Sequence, residues 1–152
     1  MNHEMIAINY FRNGFNCAQS VLTSYKDEVN MNKEDLLKIS CGFGAGMGRM
    51  QDTCGAVSGA YMVIGLKYGK YNKDDNKARE KTYRLVREFD SEFKKINKTT
   101  NCKELLECNL STEEGKKYFN DNILMEKVCV KCFECSVKIL NRLLGEKKRN
   151  GL

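Results

Sequence analysis

Hydrophobic residues recur at helical spacing along nearly the whole of this 152-residue chain, and no proline interrupts them. Apolar side chains three and four residues apart give a helix one buried face, whereas a half-buried strand requires strict alternation of apolar and polar residues. No segment keeps that alternation, and no repeat or linker divides the chain. The sequence therefore predicts one all-α domain over residues 1–152, a bundle of about six to eight helices.

Capping residues and glycines divide this pattern into individual helices. We expect a first helix that ends at Asn13-Gly14, a second over about residues 17–28 and a third that begins at Asn32. A glycine-rich loop and a central apolar helix over about 53–67 follow, then an amphipathic helix over 75–96, short helices at 102–108 and 112–120, and a last helix over 122–144. The side chains expected to face inward on the amphipathic helix are Tyr83, Leu85, Val86, Phe89 and Phe93.

Charge and hydropathy exclude several classes of function. The net charge is +6, but lysines and arginines alternate with acidic residues, and the one dense basic run is Lys147–Arg149. Without a basic stripe or interleaved aromatic residues, nucleic-acid binding is not expected. No apolar stretch approaches the ~20 residues of a membrane span, and the amino terminus lacks the pattern of a signal peptide. We therefore expect a cytoplasmic protein without membrane contact, and the apolar excess on its short helices is compatible with a homodimer.

Eight cysteines are unusual for a chain in a reducing compartment. Free cysteines often serve as small buried hydrophobic residues, and some of the eight can be explained in this way. In a cytosolic domain, however, a cysteine-rich composition favours metal or redox chemistry over a disulfide framework.

Three of these cysteines stand at predicted helix starts. Cys17 and Cys102 each follow an asparagine and precede Gln19 and Glu104, which gives both helices the pattern of a capping box. Cys54 falls in the first turn of the apolar helix, with Asp52 or Thr53 as its cap. The free N–H groups and positive dipole of a helix start favour thiolate over thiol, so we expect the pKa of all three cysteines to be lowered. The last helix can supply further ligands, because Cys129 and Cys132 share one face while Cys135 is rotated towards its edge.

The glycine-rich loop between Cys41 and Cys54 has two open explanations. Its backbone N–H groups can donate to sulfur or to a bound anion beside Arg49, or it can be a tight crossover between helices. The first explanation makes five residues candidates for cofactor binding: Gly44, Gly46, Gly48, Arg49 and Gly55. A phosphate loop is excluded, because no Gly-Lys-Ser/Thr follows and no strand precedes the loop.

The segment CGAVSG that begins at Cys54 resembles the central motif of the redox-active proteins named for a C_GCAxxG_C_C pattern of four cysteines. The likeness extends through GFNCAQSVL, FGAGMGRMQDTCGAVSGAYMVIGLKYG, CKELLE and the last helix. By position, the family cysteines correspond to Cys17, Cys54, Cys102 and Cys129, with Cys132 as the alternative for the last. Cys41, Cys108, Cys132 and Cys135 depart from the four-cysteine pattern.

The resemblance implies a redox role without an established reaction, and a similar domain occurs in split-Soret cytochromes c. Covalent haem is not expected here, because no Cys-x-x-Cys-His is present. We expect an iron–sulfur cluster for electron transfer or redox sensing, held by Cys17, Cys54, Cys102 and Cys129 or Cys132. The alternatives are a thiol–disulfide enzyme with Cys54 and Cys17 as catalytic cysteines, a structural four-thiolate zinc site, and a helical interaction module with inert cysteines. The one histidine, His3, is expected to be a bystander in a flexible terminus.

Overall fold

The computed structural model describes residues 2–145, so the basic run Lys147–Arg149 lies outside the described residues. The helices are α1 (His3–Arg12), α2 (Cys17–Ser24), α3 (Lys26–Val29), α4 (Lys33–Ser40), α5 (Gly44–Met47), α6 (Gly55–Tyr68), α7 (Asn76–Asn97), α8 (Cys102–Leu106), α9 (Glu113–Asp121) and α10 (Val130–Gly145). A 3₁₀ turn at Cys41–Phe43 precedes α5, and a π-helical turn at Met125–Cys129 precedes α10. Extended backbone within residues 2–145 pairs only at an isolated bridge between Thr53 and Asn101. The all-α prediction is confirmed.

The apolar helix α6 forms the centre of the core, as its composition predicts. Its residues from Gly55 to Ala60 are buried, and so are Val63 and Ile64 about one turn later. α6 packs against α2, α7 and α10, and it approaches α2 most closely. A Cβ atom on Gly59 would lie 3.0 Å from the carbonyl oxygen of Ala18 in α2. Small residues on α6 therefore allow the two helix backbones to meet.

The amphipathic helix α7 buries Leu85, Phe89 and Phe93 against this core, which confirms most of its predicted inner face. The prediction for Tyr83 is wrong, because that side chain is 54% exposed. At 3.6 residues per turn, Tyr83 lies about 200° around the helix axis from Leu85 and so faces away from the core.

The amino-terminal histidine is a buried residue of α1, which contradicts the prediction of a flexible terminus; His3 does not line the thiol cavity described below. His3 is buried, and its ring stacks on Tyr25 with centroids 4.0 Å apart. Its Nδ1 lies 2.9 Å from the carbonyl oxygen of Ser24, and its Nε2 lies 2.9 Å from a carboxylate oxygen of Glu28. These contacts tie α1 to the end of α2 and to α3.

The second predicted helix is divided in two, since α2 ends at Ser24 and α3 begins at Lys26. Tyr25 leaves the helical conformation between them, with φ −102° and ψ 15°, and its buried hydroxyl donates to Asn141 Oδ1 (2.8 Å). A long-range contact with α10 therefore interrupts a helix that local periodicity would continue. Within residues 2–145, no helix combines the length and the apolar character needed to cross a membrane.

Candidate thiol site

Five cysteines from distant parts of the chain line one small internal cavity. They are Cys17, Cys54, Cys102, Cys129 and Cys132. The remaining lining is uncharged and consists of Ala45, Gly46, Gly55, Ala56, Leu105, Leu106, Val128 and Phe133. The cavity volume is about 20 Å³, which is the space that one water molecule occupies. The five cysteines that the sequence indicates as metal ligands are therefore brought together in space.

The predicted capping box at the start of α2 is present in full and fixes the backbone of Cys17. The side chain of Asn16 accepts from the backbone N–H of Gln19 (3.0 Å), and the Gln19 side chain accepts from the backbone N–H of Asn16 (3.0 Å). Asn16 also donates through Nδ2 to the carbonyl oxygen of Cys41 (2.8 Å). The cap thus anchors α2 to the end of α4 as well as starting the helix.

The start of α8 has only half of the predicted capping box. Asn101 accepts from the backbone N–H of Glu104 (2.9 Å), as expected of a cap. The backbone N–H of Asn101, however, donates to Thr99 Oγ1 (3.0 Å) and not to Glu104. Thr99 lies closer along the chain and satisfies this donor, which leaves the Glu104 carboxylate exposed.

Cys54 itself is the N-cap residue of α6, so the prediction of Asp52 or Thr53 as the cap is wrong. Its carbonyl oxygen accepts from the backbone N–H groups of Val57 (2.9 Å) and Ser58 (3.0 Å). No side chain caps this helix. In place of a side-chain cap, the residues before α6 pair with the residues before α8.

This pairing joins the two helix starts and brings Cys54 beside Cys102. The backbone N–H of Cys54 donates to the carbonyl oxygen of Thr100 (2.8 Å), and that of Cys102 donates to Asp52 (2.6 Å). The bridge between Thr53 and Asn101 lies between these bonds. Two cysteines separated by 48 positions in the sequence are therefore held together by backbone hydrogen bonds that do not depend on the side chains.

The glycine-rich loop, which includes the short segment α5, forms a left-handed coil against this site and not a regular right-handed helix. Residues 45–49 all have positive φ, between 50° for Ala45 and 69° for Met47. The coil is closed by hydrogen bonds from the backbone N–H of Gln51 to Ala45 (3.2 Å) and from that of Asp52 to Gly46 (2.8 Å). Each non-glycine residue in this conformation costs roughly 1–2 kcal/mol, and Ala45, Met47 and Arg49 all adopt it.

Two glycines are required by close approach at the cavity. At Gly46 the φ is +67°, and a Cβ atom would lie 2.5 Å from the Cα of Gln51. At Gly55 a Cβ atom would lie 2.6 Å from the backbone nitrogen of Ala18 and 2.6 Å from the Cβ of Cys17. The loop is therefore a close-packed crossover, and both glycines also line the thiol cavity.

The other three residues predicted to bind a cofactor face a different space. Gly44, Gly48 and Arg49 line a neighbouring surface cleft of about 280 Å³ together with Asn16, Cys41 and Ala45. Arg49 does not line the thiol cavity, so its charge is not placed against the five sulfur atoms. Of the five residues predicted to bind a cofactor, Gly46 and Gly55 therefore line the thiol cavity, and Gly44, Gly48 and Arg49 do not.

Burial and mutual contact, more than helix dipoles, determine the pKa values of the thiols. The pKa of Cys54 is lowered, as predicted, chiefly because Cys132 donates a hydrogen bond to it, with the backbone N–H groups of Ala56 and Val57 adding to the effect against burial. The same hydrogen bond, followed by burial, raises the pKa of Cys132.

The predicted lowering is wrong for Cys17 and Cys102. A hydrogen bond with Cys129, then burial, raises the pKa of Cys17 well above its ordinary value. Burial and the neighbouring Cys54 and Cys129 raise the pKa of Cys102 to about 12. Thiolates that share a dry cavity repel one another, and none of the described residues lining it supplies a positive charge to offset this.

The thiols are arranged as contacting pairs around the cavity. Cys54 is hydrogen-bonded to Cys132, and Cys17 is hydrogen-bonded to Cys129. Among residues 2–145, no three His, Cys, Asp or Glu side chains are arranged so as to hold a metal ion as they stand. The donor set is thus present in type and number, but it is not arranged in the geometry of a metal site.

The π-helical turn at Met125–Cys129 and the buried glutamine Gln51 are features of the site that the sequence pattern does not reveal. The turn places Cys129 directly before α10, so that Cys129 and Cys132 both reach the cavity. Gln51 is 3% exposed although it lies in a polar stretch, and it partly offsets the burial that raises the pKa of Cys102. No local signal distinguishes this glutamine, because its side chain is held by the distant segment around Cys108.

The remaining cysteines lie outside the cavity. The Sγ of Cys135 accepts from Asn97 Nδ2 in α7 (3.3 Å), which agrees with its predicted rotation away from the other thiols of the last helix. Cys41 is exposed, and Cys108 is half-buried. Burial, followed by the neighbouring Cys129, raises the pKa of Cys108.

Comparison with known proteins gives one result. Residues 15–143 match the sequence profile of the family described as "Putative redox-active protein (C_GCAxxG_C_C)". No curated protein and no solved structure matches the chain.

Proposed function

The chain belongs to the C_GCAxxG_C_C family of redox-active proteins, and we propose that its five-thiol cavity binds an iron–sulfur centre that serves electron transfer or redox sensing. The cysteines that would hold this centre are Cys17, Cys54, Cys102 and either Cys129 or Cys132. Four thiolates are the usual ligand set of both two-iron and four-iron clusters.

One observation carries this proposal: five thiols delivered by α2, α6, α8, the π-helical turn and α10 meet in a cavity whose other walls are uncharged. Neighbouring thiols and burial raise the pKa values of Cys17, Cys102 and Cys132, so the site does not hold several thiolates by itself. A bound cation removes that repulsion, because thiolate ligands lose their protons to the metal that they bind. These pKa shifts support the proposal, because a metal centre would supply the positive charge that the lining residues lack.

The cavity fits a centre in donor type and requires a change of rotamer. Its volume of about 20 Å³ is that of one water molecule, and its thiols are not arranged to hold a metal ion as they stand. An iron–sulfur cluster is larger, so the thiol side chains must turn away from their present partners to accommodate it. Rotation of a cysteine about χ1 between staggered wells leaves the backbone in place.

When bound, such a centre supplies one-electron transfer. The chain's own contribution is to hold the sulfur atoms and to shield them. The N–H groups of Ala56 and Val57 lower the pKa of Cys54, and hydrogen bonds to ligand sulfur atoms adjust the reduction potential of a bound centre. Leu105, Leu106 and Phe133 contribute apolar walls to the cavity.

Metal and acid-labile sulfide analysis of protein purified without oxygen tests the proposal, together with a visible spectrum. We expect iron and sulfide in the wild type and their loss in Cys54→Ser. The matched control is Cys135→Ser, which removes a buried thiol of α10 outside the cavity and should retain the iron. Comparison of Cys129→Ser with Cys132→Ser then identifies the fourth ligand.

Two outcomes would contradict the iron–sulfur assignment. Stoichiometric zinc without iron would identify a structural four-thiolate site. Absence of both metals before and after anaerobic reconstitution would exclude a metal centre altogether.

A metal-free dithiol–disulfide function is a second candidate, favoured by the contacting pairs Cys17–Cys129 and Cys54–Cys132. In that mechanism the Cys54 thiolate, whose pKa is lowered, attacks an external disulfide and Cys132 resolves the mixed disulfide. This attack requires the cavity to open, since its present volume of about 20 Å³ admits only a water molecule. Disulfide mapping of mildly oxidised, metal-free protein tests it. A bond between Cys54 and Cys132 supports this function, whereas retention of both as free thiols excludes it.

A further inference from the structure

Cys108 lies outside the four-cysteine pattern of the family, yet its backbone is held firmly beside the thiol site. It follows α8 after Glu107, which ends that helix in a left-handed conformation. The carbonyl oxygen of Cys108 accepts from Gln51 Nε2 (2.9 Å), and Gln51 Oε1 accepts from the backbone N–H of Leu110 (2.7 Å). One buried glutamine therefore fixes this segment from both sides, and the same glutamine partly offsets the raised pKa of the Cys102 thiol.

The Cys108 side chain faces both the thiol site and the surface. It packs, together with Cys129, on the small apolar cluster formed by Cys102, Leu106 and Leu124. On its outer side it lines an open cleft of about 640 Å³, whose other walls are Asn101, Lys103, Glu104, Glu107 and Asn109. The thiol cavity, at about 20 Å³, admits nothing larger than a water molecule. Of these two spaces, only the cleft at Cys108 is large enough for a small disulfide molecule.

We propose that Cys108 is the exchange thiol of this protein, through which a small external disulfide oxidises the buried site, with Cys129 as the resolving partner. Cys129 is the suitable partner because both side chains pack on one cluster and Cys129 is only half-buried. Cys102 is unsuitable, since it is the first residue of α8 whereas Cys108 lies beyond the other end of the same helix. The proposal does not require a bound metal and therefore stands apart from the iron–sulfur assignment.

The exchange proceeds in two displacements. The Cys108 thiolate attacks one sulfur of the external disulfide, which breaks that bond and releases one thiolate that takes up the proton lost by Cys108. The Cys129 thiolate then attacks the sulfur of Cys108, forms the Cys108–Cys129 bond and releases the second external thiolate, which takes up the proton of Cys129. Two protein thiols lose two electrons and two protons, and the external disulfide becomes two thiols.

This bond has a consequence for the site. It withdraws Cys129 from the cavity and leaves four lining thiols, namely Cys17, Cys54, Cys102 and Cys132. Since a four-ligand centre needs only four of the five cavity thiols, Cys129 can take part in thiol–disulfide exchange while four ligands remain.

Oxidised glutathione is the probe for the test, used on reduced, metal-free protein, with alkylation of free thiols at timed intervals and disulfide mapping by peptide mass spectrometry. We expect the first internal disulfide to join Cys108 to Cys129, with the loss of two of the eight thiols. In Cys108→Ser, internal disulfide formation should be roughly tenfold slower, because the remaining site thiols lack access. The matched control is Cys41→Ser, which removes an exposed thiol whose cleft contains no other cysteine among its lining residues, and which should leave the rate unchanged.

Three results would overturn the proposal. These are a first disulfide between Cys17 and Cys129, a stable glutathione adduct on Cys108 without resolution, and an unchanged oxidation rate in Cys108→Ser. Circular dichroism of Cys108→Ser checks that the variant is folded, and its iron content after reconstitution separates this proposal from the metal assignment. Normal iron binding with the original oxidation rate refutes the exchange role alone.

Discussion

Replacing Gly55 by alanine tests whether the close approach of α2 and α6 holds the thiol site together. A Cβ atom at this position would lie 2.6 Å from the backbone nitrogen of Ala18 and 2.6 Å from the Cβ of Cys17. Ordinary contact between such atoms requires about 3.5 Å, so the two helix starts must separate by roughly 1 Å. The obstacle includes backbone, and a change of rotamer cannot relieve it.

The expected loss in free energy of unfolding follows from two opposing effects. Overpacking of a close contact costs about 1–3 kcal/mol, and replacing glycine by alanine in a helix returns at most about 0.5–1 kcal/mol. We therefore expect Gly55→Ala to be less stable than the wild type by about 1–2 kcal/mol. Gly65→Ala is the matched control in the same helix, because nothing lies within 4 Å of a Cβ atom there. Gly65→Ala should raise the free energy of unfolding by about 0.5–1 kcal/mol. The two substitutions should therefore change stability in opposite directions.

Urea unfolding of reduced, metal-free protein, followed by circular dichroism, gives both free energies. Iron content after reconstitution gives a second measurement, since displacement of Cys17 and Cys54 should lower it in Gly55→Ala and leave it unchanged in Gly65→Ala. The reasoning is refuted if Gly55→Ala is as stable as the wild type, or if Gly65→Ala loses as much stability as Gly55→Ala.

Three further predictions concern strain, capping and pH. Ala45→Gly should stabilise the protein by about 1 kcal/mol, because Ala45 adopts a strained left-handed conformation at φ 50° that glycine adopts without strain. The control Ala78→Gly, in the regular helix α7, should destabilise the protein by up to about 1 kcal/mol. Equal losses of stability in thermal unfolding would contradict this prediction. Asn16→Ala should lower the free energy of unfolding by about 2 kcal/mol and Asn32→Ala by about 1 kcal/mol, because Asn16 also donates to the carbonyl oxygen of Cys41. Equal losses in urea unfolding would show that this additional hydrogen bond contributes nothing. The reduced, metal-free protein should lose stability as pH rises from about 8.5 towards 12, because Cys102 in the unfolded chain releases its proton there while the folded protein, with its raised pKa, retains it. Cys102→Ser should flatten that slope in unfolding measured across this pH range, and an unchanged slope would argue against the raised pKa.

The order and type of the helices were predictable because their signals are local. Asn16, Asn32 and Asn101 each cap the helix that the sequence indicates, and apolar spacing correctly identifies α6 as the buried centre. A cap acts on backbone groups two or three residues away, so its effect is complete within one turn and can be read from adjacent letters. The helix predictions failed where a contact with a distant element matters. One example is Tyr25, whose hydroxyl donates to Asn141 in α10 at the point where the predicted second helix is divided.

The cysteines of the candidate site were identifiable from the sequence, but their surroundings were not. Cys17 and Cys102 begin helices as expected, yet the pKa of each is raised, because helix-start N–H groups act locally whereas burial and neighbouring thiols come from the folded chain. The buried Gln51 reads as an ordinary polar residue until the segment around Cys108 covers it.

Sequence by itself thus determined an all-α chain with cysteines at three helix starts, since helix formation and capping depend on neighbours within a few residues. Tertiary structure alone decided which thiols meet, through the backbone pairing of residues 51–54 with 100–103 and the approach of α2 to α6 at Gly55. It also decided that Ala45, Met47 and Arg49 adopt left-handed conformations, because the packing around the coil offsets a strain that no local preference would select. The protonation of a thiol depends on the groups within a few ångströms of it, and in this protein five separate segments of the chain supply those groups.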